Sequence, residues 1–402
     1  MHARRIVSLS IIVAFSLFCG AAVARHDQSE IKVMTQNQYL GADLAALLTA
    51  SDPILFNQEL VALLQKIAGS RFHERAQRQA ALIANESPHV VALQEVWRFD
   101  CIDLLPPQEN QGCQDPMIAG AFLDQLDETL AALKARGLKY KPIARVKNLD
   151  ASVVAFPELP PGIPFSINGV PAILQTIDRD VILVRNDVPA KVANLQLFCG
   201  DRVSLDGCNY QVVAVAQLPL PDGTTADVPV QRGFVAIDAR VAGKNYRIVN
   251  THLEVREPQP GNPISQVFQA VQASELIGVL QATTPIGKSL LVLGDFNSSP
   301  EDAGVPDAGI IPPYQQLAAA GYTDGWTLGR PAVPGFTCCQ AEDLLNKQSQ
   351  LYERIDLILS WPAPARIKDI RVLGTKQWDK TGPPAPRLWP SDHAGVAAAL
   401  RF

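Results

Sequence analysis

The chain has 402 residues, of which 47% are hydrophobic and 19% are charged, a globular balance with enough apolar material for a sizeable core. Its formal net charge of −5 excludes a general electrostatic attraction to nucleic acid or to anionic membrane. Neither partner is excluded outright, because a local metal site can supply the positive charge that meets a phosphate.

The N-terminus has the pattern of a signal peptide. Two arginines, at positions 4 and 5, precede an apolar run at 6–19 and a small-residue cleavage site that ends at Ala24. An uncleaved membrane anchor is the alternative, but the run is shorter than the roughly 20 residues that span a bilayer. We expect residues 1–24 to be removed and the mature protein to be secreted or periplasmic.

The hydrophobic pattern predicts alternating strands and helices along the mature chain. In chain order these are a strand at 30–35, a helix at 58–86, a strand at 90–93, a helix at 120–136, a Pro-rich loop at 157–171, a strand at 181–184, a hairpin at 233–241 and 245–249, a helix at 265–281, a strand at 289–293, a helix at 314–320, and strands at 355–359 and 395–400. Interleaved helices together with hairpin signals predict a mixed sheet, and we interpret residues 25–402 as one domain.

Cysteine usage agrees with export. An even number of cysteines follows the signal segment, which suggests disulfides in an exported chain. Their spacing favours two local loops, Cys101–Cys113 and Cys199–Cys208, whereas the adjacent Cys338 and Cys339 either bond to each other or pair elsewhere. A structural zinc site is the alternative, but the CxxC pairs that mark one are absent and histidine is scarce.

Polar residues gather at the ends of the predicted strands. Asn37, Glu95, His252 and Asp295 follow apolar runs, and the Asp392-His393 pair precedes the last strand. Strand ends at one edge of a sheet can converge on a pocket. Carboxylate and amide oxygens suit Mg²⁺ or Mn²⁺, and histidine transfers protons near neutral pH. Since no Gly-x-Ser-x-Gly elbow or Walker loop is present, the pattern favours metal-assisted attack of water on phosphorus.

The order of these pieces resembles the endonuclease/exonuclease/phosphatase superfamily. The matching segments are VMTQN at 33–37, LQEV at 93–96, NTHL at 250–253, GDFNS at 294–298, ERIDLIL at 353–359 and SDH at 391–393. The resemblance implies a DNase I-like α/β (α+β) fold, a four-layer sandwich of two packed mixed β-sheets flanked by helices. It also implies a hydrolase of phosphate esters that uses Mg²⁺, with Mn²⁺ as the alternative ion.

The resemblance implies which residues hold the metal and the phosphate. Glu95 is expected to be the main metal ligand, with Asn37 beside it and Asp392 in the shell of the metal. Asp295 and Asn297 are expected to position the phosphate and the attacking water, and Asn37 to contact the substrate as well.

The resemblance also implies the acid and base groups. His393 is expected to be the general base, held by Asp356, which would fix its tautomer and raise its basicity. His252 is expected on the other side of the phosphate, where it would stabilise charge or protonate the leaving oxygen. For Asp356 the alternative is a structural salt bridge with Arg354, which lies on the same strand face.

The substrate class is narrowed by a second resemblance. The stretch from 231–237 through 251–254 looks like the bacterial sphingomyelinase branch, which implies a phospholipase C acting on phospholipid at a membrane surface. That branch has an exposed aromatic hairpin that enters the membrane, and no clear counterpart is evident in this sequence. Trp378 and Trp389, which flank a Pro-rich loop near His393, are candidates for the same role; the alternative is that both are partly buried packing residues. Arg179 is a candidate for binding phosphate or a head group, and an ordinary surface ion pair is its alternative.

Three other functions stay open at this point. A secreted nuclease would need basic residues around the pocket, and folding would have to gather Arg145, Lys147, Arg179 and Arg185. A phosphomonoesterase could use the same site. A non-catalytic binding protein is disfavoured by the intact residue set. We expect a monomer, and the GFTCCQ segment at 335–340 to form a wall of the pocket.

Overall fold

The computed structural model describes residues 30–106, 109–156, 158–220, 223–256, 262–305, 309–383 and 386–402. The expected signal peptide therefore lies outside the described residues. No helix in these ranges combines the length and the apolar character that a bilayer-spanning segment needs.

Strands dominate the described chain. They are β1 (Glu30–Asn37), β2 (Val90–Gln94), β3 (Arg98–Asp103), β4 (Tyr140–Asp150), β5 (Ile163–Ile167), β6 (Val170–Arg185), β7 (Ala190–Val192), β8 (Val203–Ser204), β9 (Gly207–Asn209), β10 (Ala214–Pro219), β11 (Thr225–Val230), β12 (Gly233–Val241), β13 (Lys244–His252), β14 (Ser289–Asp295), β15 (Thr323–Asp324), β16 (Asp356–Trp361), β17 (Arg366–Leu373) and β18 (Gly395–Arg401). The helices are α1 (Ala45–Leu48), α2 (Pro53–Gly69), α3 (Phe72–Glu86), α4 (Gln125–Ala135), α5 (Gln196–Cys199), α6 (Ile264–Thr283), α7 (Pro313–Ala319) and α8 (Gly325–Gly329).

The strands form two mixed sheets. The first has the order β10-β11-β4-β6-β2-β1-β18-β17, with β3 and β5 also paired to β6, and the second has the order β15-β16-β14-β13-β12-β9-β8, with β7 paired to β12. β1 runs parallel to β2 and β13 runs parallel to β14, whereas β1–β18 and β14–β16 are antiparallel.

The two sheets face each other and carry helices on their outer faces. Alternation along each strand sends one set of side chains inward, and Ile182, Ile248 and Leu291 belong to the apolar core between the sheets. The opposite set meets the helices: Val181 packs with residues of α3 and α4, and Val292 with residues of α6 and α7. The predicted four-layer sandwich is confirmed.

The predicted helix at 58–86 is two helices. α2 begins earlier than predicted, at Pro53, because the Asp52 carboxylate accepts from the backbone N–H groups of Ile54 and Leu55, both at 3.0 Å. The break falls after Ser70, where Arg71 adopts a φ of 47°. The apolar spacing continues across this break, so the hydrophobic pattern alone did not show it.

Two other boundaries also differ from the prediction. The helix expected at 120–136 begins only at Gln125, because Asp124 caps it by accepting from the backbone N–H of Leu126 at 2.8 Å. The expected loop at 157–171 contains β5 and the start of β6, which pair as a hairpin. The Asn168-Gly169 turn with positive φ at both residues is the local signal for that hairpin.

Candidate active site

Strand register brings the predicted residues to one edge of the two sheets. β1 and β2 end in register, so Asn37 and Glu95 emerge side by side. In the second sheet His252 pairs with Asp295, and Asp295 pairs with Asp356, across β13, β14 and β16. Residues far apart in the chain thus meet in one cluster.

A buried imidazole between carboxylates forms the centre of this cluster. His393 Nδ1 lies 2.8 Å from Asp356 Oδ2 and 3.7 Å from Asp295 Oδ2. His252 Nε2 lies 3.6 Å from the same Asp295 oxygen. When Nδ1–H of His393 donates to Asp356, the Nε2 lone pair is left to accept a proton. The cluster therefore contains the orienting contact that a general base requires.

The carboxylates control the protonation of the cluster. Burial alone would lower the pKa of His393, but three neighbouring carboxylates raise it well above its usual value. Burial raises the pKa of Asp295 to about 7, although the nearby His393 opposes the rise. Burial raises the pKa of Asp392 to about 6, and the Glu95 carboxylate adds to the rise. Mutual repulsion of this kind favours the uptake of protons or cations.

His252 has the opposite environment. Arg232 Nη1 lies 3.2 Å from its Nδ1, and Asn297 Nδ2 lies 3.1 Å from its Nε2. Burial, together with Arg232 and His393, holds the pKa of His252 well below its usual value. The imidazole of His252 is therefore the weaker base of the two, and that of His393 is the stronger. No local feature of the chain pointed to Arg232 beyond its position directly before β12.

Glu95 is fixed by hydrogen bonds from the first strand and the loop after it. Leu40 N–H donates to its Oε2 at 2.8 Å, and Asn37 Nδ2 donates to its Oε1 at 3.0 Å. Asn37 Nδ2 also donates to Asp295 Oδ2 at 3.1 Å, while Asn37 Oδ1 accepts from Tyr39 N–H at 2.9 Å. In this arrangement Asn37 lies beside Glu95, as expected, and bridges two carboxylates as a donor. Its role as a metal ligand stays a prediction.

The donor set at this edge fits a divalent cation. Glu95 and Asp392 are half-buried carboxylates close enough for the charge of one to raise the pKa of the other. Ligand atoms of Asp295, Asp356 and His393 also lie within 4.8 Å of one another. Oxygen-rich groups of net negative charge are the ligands that Mg²⁺ and Mn²⁺ prefer. Glu95 and Asp392 are the residues that would hold the ion.

The GFTCCQ segment at 335–340 links the two sides of the His393–Asp356 pair. The buried Thr337 hydroxyl accepts from the backbone N–H groups of Ile355 and Asp356, both at 3.1 Å. The Thr337 carbonyl accepts from Ala394 N–H at 2.7 Å. The alternative ion pair between Asp356 and Arg354 is not formed, because Arg354 Nη1 instead lies 2.6 Å from Asp324 Oδ2.

Arg179 does not join the cluster. It shares a face of β6 with Val181 and Leu183, which pack against α3 and α4. Its Nη2 donates to Asp124 Oδ1 at 2.6 Å and its Nε donates to the Val96 carbonyl at 3.1 Å. The expected contact with a phosphate or head group is therefore replaced by an ion pair with Asp124 and a hydrogen bond to the segment that follows β2.

The other basic residues that a nuclease would use are also paired with acids. Arg145 lies 3.9 Å from Asp206, Lys147 lies 2.5 Å from Asp150, and Arg185 lies 2.6 Å from Asp187. Arg185 ends β6 and so lies six residues, roughly 20 Å, from Arg179 along the strand. Lys147 pairs in register with Arg179 across β4 and β6, but each of the four is held by an acid and Arg185 lies away from the other three.

The two tryptophans near His393 differ in exposure. Trp389 is fully buried and packs with Tyr39, Leu344 and Leu388. It is therefore a packing residue, which was the alternative to membrane contact. The side chain of Trp378 is 71% exposed. All six cysteines that follow the signal segment are paired, as Cys101–Cys113, Cys199–Cys208 and Cys338–Cys339.

A family model described as the endonuclease/exonuclease/phosphatase family matches residues 146–393, more than half of the chain. The chain belongs to this family. Its members are hydrolases that act on phosphate esters and typically depend on a divalent metal. A search of curated proteins finds no match.

Several solved structures are similar to this chain. The endonuclease/exonuclease/phosphatase from Beutenbergia cavernae is 18% identical over 93% of this chain and 72% of that chain, with a TM-score of 0.48. A family protein from Bacteroides thetaiotaomicron is 14% identical over 93% of this chain and 98% of that chain, with a TM-score of 0.48. The D. rerio TDP2 complexed with a single-strand DNA product is 16% identical over 93% of this chain and 100% of that chain, with a TM-score of 0.45.

Proposed function

We propose that the protein is a Mg²⁺-dependent phosphodiesterase that uses water as the nucleophile. The observation that carries this proposal is the buried His393–Asp356 pair, 2.8 Å apart, at the same sheet edge as the Glu95 and Asp392 carboxylates. A base with a fixed tautomer beside a cation site is what hydrolysis of a phosphate ester requires.

The contacts support the following roles. His393 Nε2 accepts the proton of the attacking water, and Asp356 stabilises the imidazolium that results. Glu95 and Asp392 would hold the divalent ion, which would supply positive charge to offset the negative charge that develops on the phosphate oxygens. His252 faces the same Asp295 oxygen from the other side, where a neutral ring donates to the phosphate or to the leaving oxygen.

Asn297 completes the phosphate side of the site. Its backbone N–H donates to Asp295 Oδ1 at 2.9 Å, and its Nδ2 donates to the Leu253 carbonyl at 3.0 Å. The two contacts join the ends of β13 and β14. They hold Asp295 and Asn297 in place to orient the phosphate and the water.

For the substrate we propose a phospholipid, with a sphingomyelinase-like phospholipase C reaction as the specific case. The resemblance of 231–254 to the sphingomyelinase branch supports it. Two exposed aromatics also support it. Trp378, in the segment of chain that precedes His393, is 71% exposed, and Tyr352, whose backbone N–H donates to the Cys338 carbonyl, is 63% exposed. A nucleic-acid substrate is less well supported, since the candidate basic residues are all paired with acids.

We also propose that the protein is exported. The n-region, apolar run and small-residue site before residue 25 support a cleaved signal peptide. The pairing of six cysteines supports an oxidising compartment. N-terminal sequencing of the protein from the periplasm and medium of expressing cells tests this; an N-terminus at Met1 in the cytosol would contradict it.

The test of the reaction is a parallel assay of sphingomyelin vesicles and plasmid DNA, each with Mg²⁺ and with EDTA. p-Nitrophenyl phosphate is the phosphomonoester assayed beside them. We expect phosphocholine release that EDTA abolishes and that Glu95→Gln lacks. DNA nicking without phosphocholine release would move the substrate to nucleic acid. Release of p-nitrophenol from a phosphomonoester alone would make the protein a phosphomonoesterase. Activity that survives EDTA would contradict the metal mechanism.

A further inference from the structure

A second set of acidic groups lies between the sheets beside the candidate active site. Asp178 and Asp180 are two residues apart on β6, so their side chains leave the same face as Ile182, which belongs to the core between the sheets. Asn148 of β4 lies next to them and donates from Nδ2 to Asp178 Oδ2 at 3.3 Å. The exposed fractions are 3%, 0% and 1% for Asp178, Asp180 and Asn148.

These buried groups have oxygen atoms without hydrogen-bond partners among the described residues. The orphaned atoms are Asp178 Oδ1, both carboxylate oxygens of Asp180, and Asn148 Oδ1. Most buried polar atoms in proteins are paired, and an unpaired buried carboxylate is among the costliest exceptions. Four orphaned oxygens on three neighbouring side chains therefore call for a ligand that supplies positive charge.

The protein itself supplies little of that charge. Arg232 is the cation that acts on Asp178 and Asp180, but its Nη2 lies 3.3 Å from Glu254 and its Nη1 lies 3.2 Å from His252. Burial raises the pKa of Asp178 to about 6, and the Glu95 carboxylate adds to the rise. Burial, and then Asp178, raise the pKa of Asp180 well above its usual value. The acidic groups outnumber the guanidinium that faces them.

We propose that Asp178, Asp180 and the Asn148 carbonyl oxygen form a second divalent-cation site, separate from the one at Glu95. Two carboxylates and an amide oxygen are hard ligands, which select Mg²⁺, Mn²⁺ or Ca²⁺ over softer metals. All three side chains come from adjacent strands of one sheet, so the fold places them without a ligand. This inference does not rest on the proposed reaction.

The first test counts bound Mn²⁺ by equilibrium dialysis with electron paramagnetic resonance detection of the free ion. We expect the wild-type protein to bind two Mn²⁺ per chain, and Asp180→Asn and Glu95→Gln to bind one each. Asp369→Asn, on the edge strand β17, is the matched control and should bind two. A wild-type stoichiometry of one that Asp180→Asn leaves unchanged would overturn the site, while a loss in Glu95→Gln would still support the proposed active site.

The second test separates a cation from a shared proton by thermal unfolding with EDTA and with Mn²⁺. We expect Asp180→Asn to raise the Tm in EDTA, because a buried repelling charge is removed, and to reduce the gain in Tm that Mn²⁺ gives. Asn148→Asp should lower the Tm in EDTA but enlarge the gain with Mn²⁺. If the gain in Tm that Mn²⁺ gives is no larger in Asn148→Asp than in the wild type, the site holds a proton and the proposal is wrong.

Discussion

Two buried charged regions of this protein differ in how completely the fold pairs them. Arg75 is fully buried on α3, and its five N–H groups all have acceptors: the carbonyls of Ser70, Gln38, Tyr39 and Pro390 and the Ser70 hydroxyl. Asp178 and Asp180 are equally buried, yet three of their four carboxylate oxygens have no partner among the described residues. The fold supplies every hydrogen-bond partner of Arg75, but it leaves most carboxylate oxygens of Asp178 and Asp180 without one.

The difference separates structural from functional burial. Burial lowers the pKa of Arg75 only to about 10, so the group stays charged and ties α3 to the loop after β1 and to the segment before His393. Burial and repulsion raise the pKa of Asp295 to about 7 and that of Asp392 to about 6. Groups that the fold leaves unsatisfied are the groups that a substrate or a cation is expected to complete.

The largest effect is expected from Asp356→Asn. The amide cannot hold the same tautomer of His393, and loss of the orienting carboxylate in such a pair reduces kcat by about 10⁴. The free energy of unfolding should stay the same or rise, since one charge leaves a repelling cluster. Steady-state kinetics and urea unfolding measure the two quantities. Loss of activity that tracks loss of folded protein would show a structural role only.

The next largest effect is expected on the free energy of unfolding, when the fully hydrogen-bonded Arg75 is replaced. Arg75→Met leaves four carbonyls and a hydroxyl without their donors, and removal of a buried paired charge of this kind costs about 3–5 kcal/mol. Arg136→Met, at an exposed arginine with a single hydrogen bond to the Gln77 carbonyl, is the control and should change stability by less than about 0.5 kcal/mol. If the two variants lost the same free energy of unfolding, the hydrogen bonds of buried Arg75 would contribute no more to stability than the single bond of exposed Arg136.

The smallest effect is expected at His89, a half-buried histidine whose pKa is set mainly by burial. His89 Nδ1 accepts from Lys32 N–H at 2.9 Å, and burial, with Arg185, lowers the pKa of His89 to about 4. Its folded-state pKa is below the unfolded value, so protonation favours unfolding. Stability is complete above about pH 6.5 and falls as the pH drops toward 4.

His89→Gln should reduce the loss of unfolding free energy between pH 8 and pH 4.5 by about 1–2 kcal/mol. This figure is smaller than the full pKa shift would give, because the ring is partly exposed to solvent. Glutamine keeps an acceptor for Lys32 N–H, so stability at pH 8 should change little. The measurement is the free energy of unfolding from urea titrations at pH 4.5 and pH 8. An unchanged difference between the two pH values would show that His89 is not the titrating group.

Some of this structure could be predicted from the sequence, and the limits have physical causes. The strand-end residues Glu95, His252 and Asp295 were predictable because each follows an apolar run long enough to be a buried strand. The break at Arg71 was not, because the apolar spacing continues through a single left-handed residue. Arg232 was missed, since its role depends on contacts across the sheets.

Arg179 shows how strand alternation could have improved the prediction. Val181 and Leu183 share its parity and face the helices, whereas Asp178 and Asp180 share the parity of the core between the sheets. The alternation was visible in the sequence, but which face of the strand met the other sheet was not. Tertiary context decided that face, and with it the choice between a phosphate contact and the ion pair with Asp124.

The most direct test of the active-site assignment is hydrolysis of bis(p-nitrophenyl) phosphate, a phosphodiester that requires neither a lipid surface nor a nucleic acid. Wild type, Glu95→Gln and His393→Ala would be compared in Mg²⁺, with circular dichroism to confirm that each is folded. We expect both variants to lose most of the activity, about 10³-fold or more, while keeping the fold. A folded variant of either kind with activity near wild type would contradict the assignment of Glu95 and His393 to catalysis.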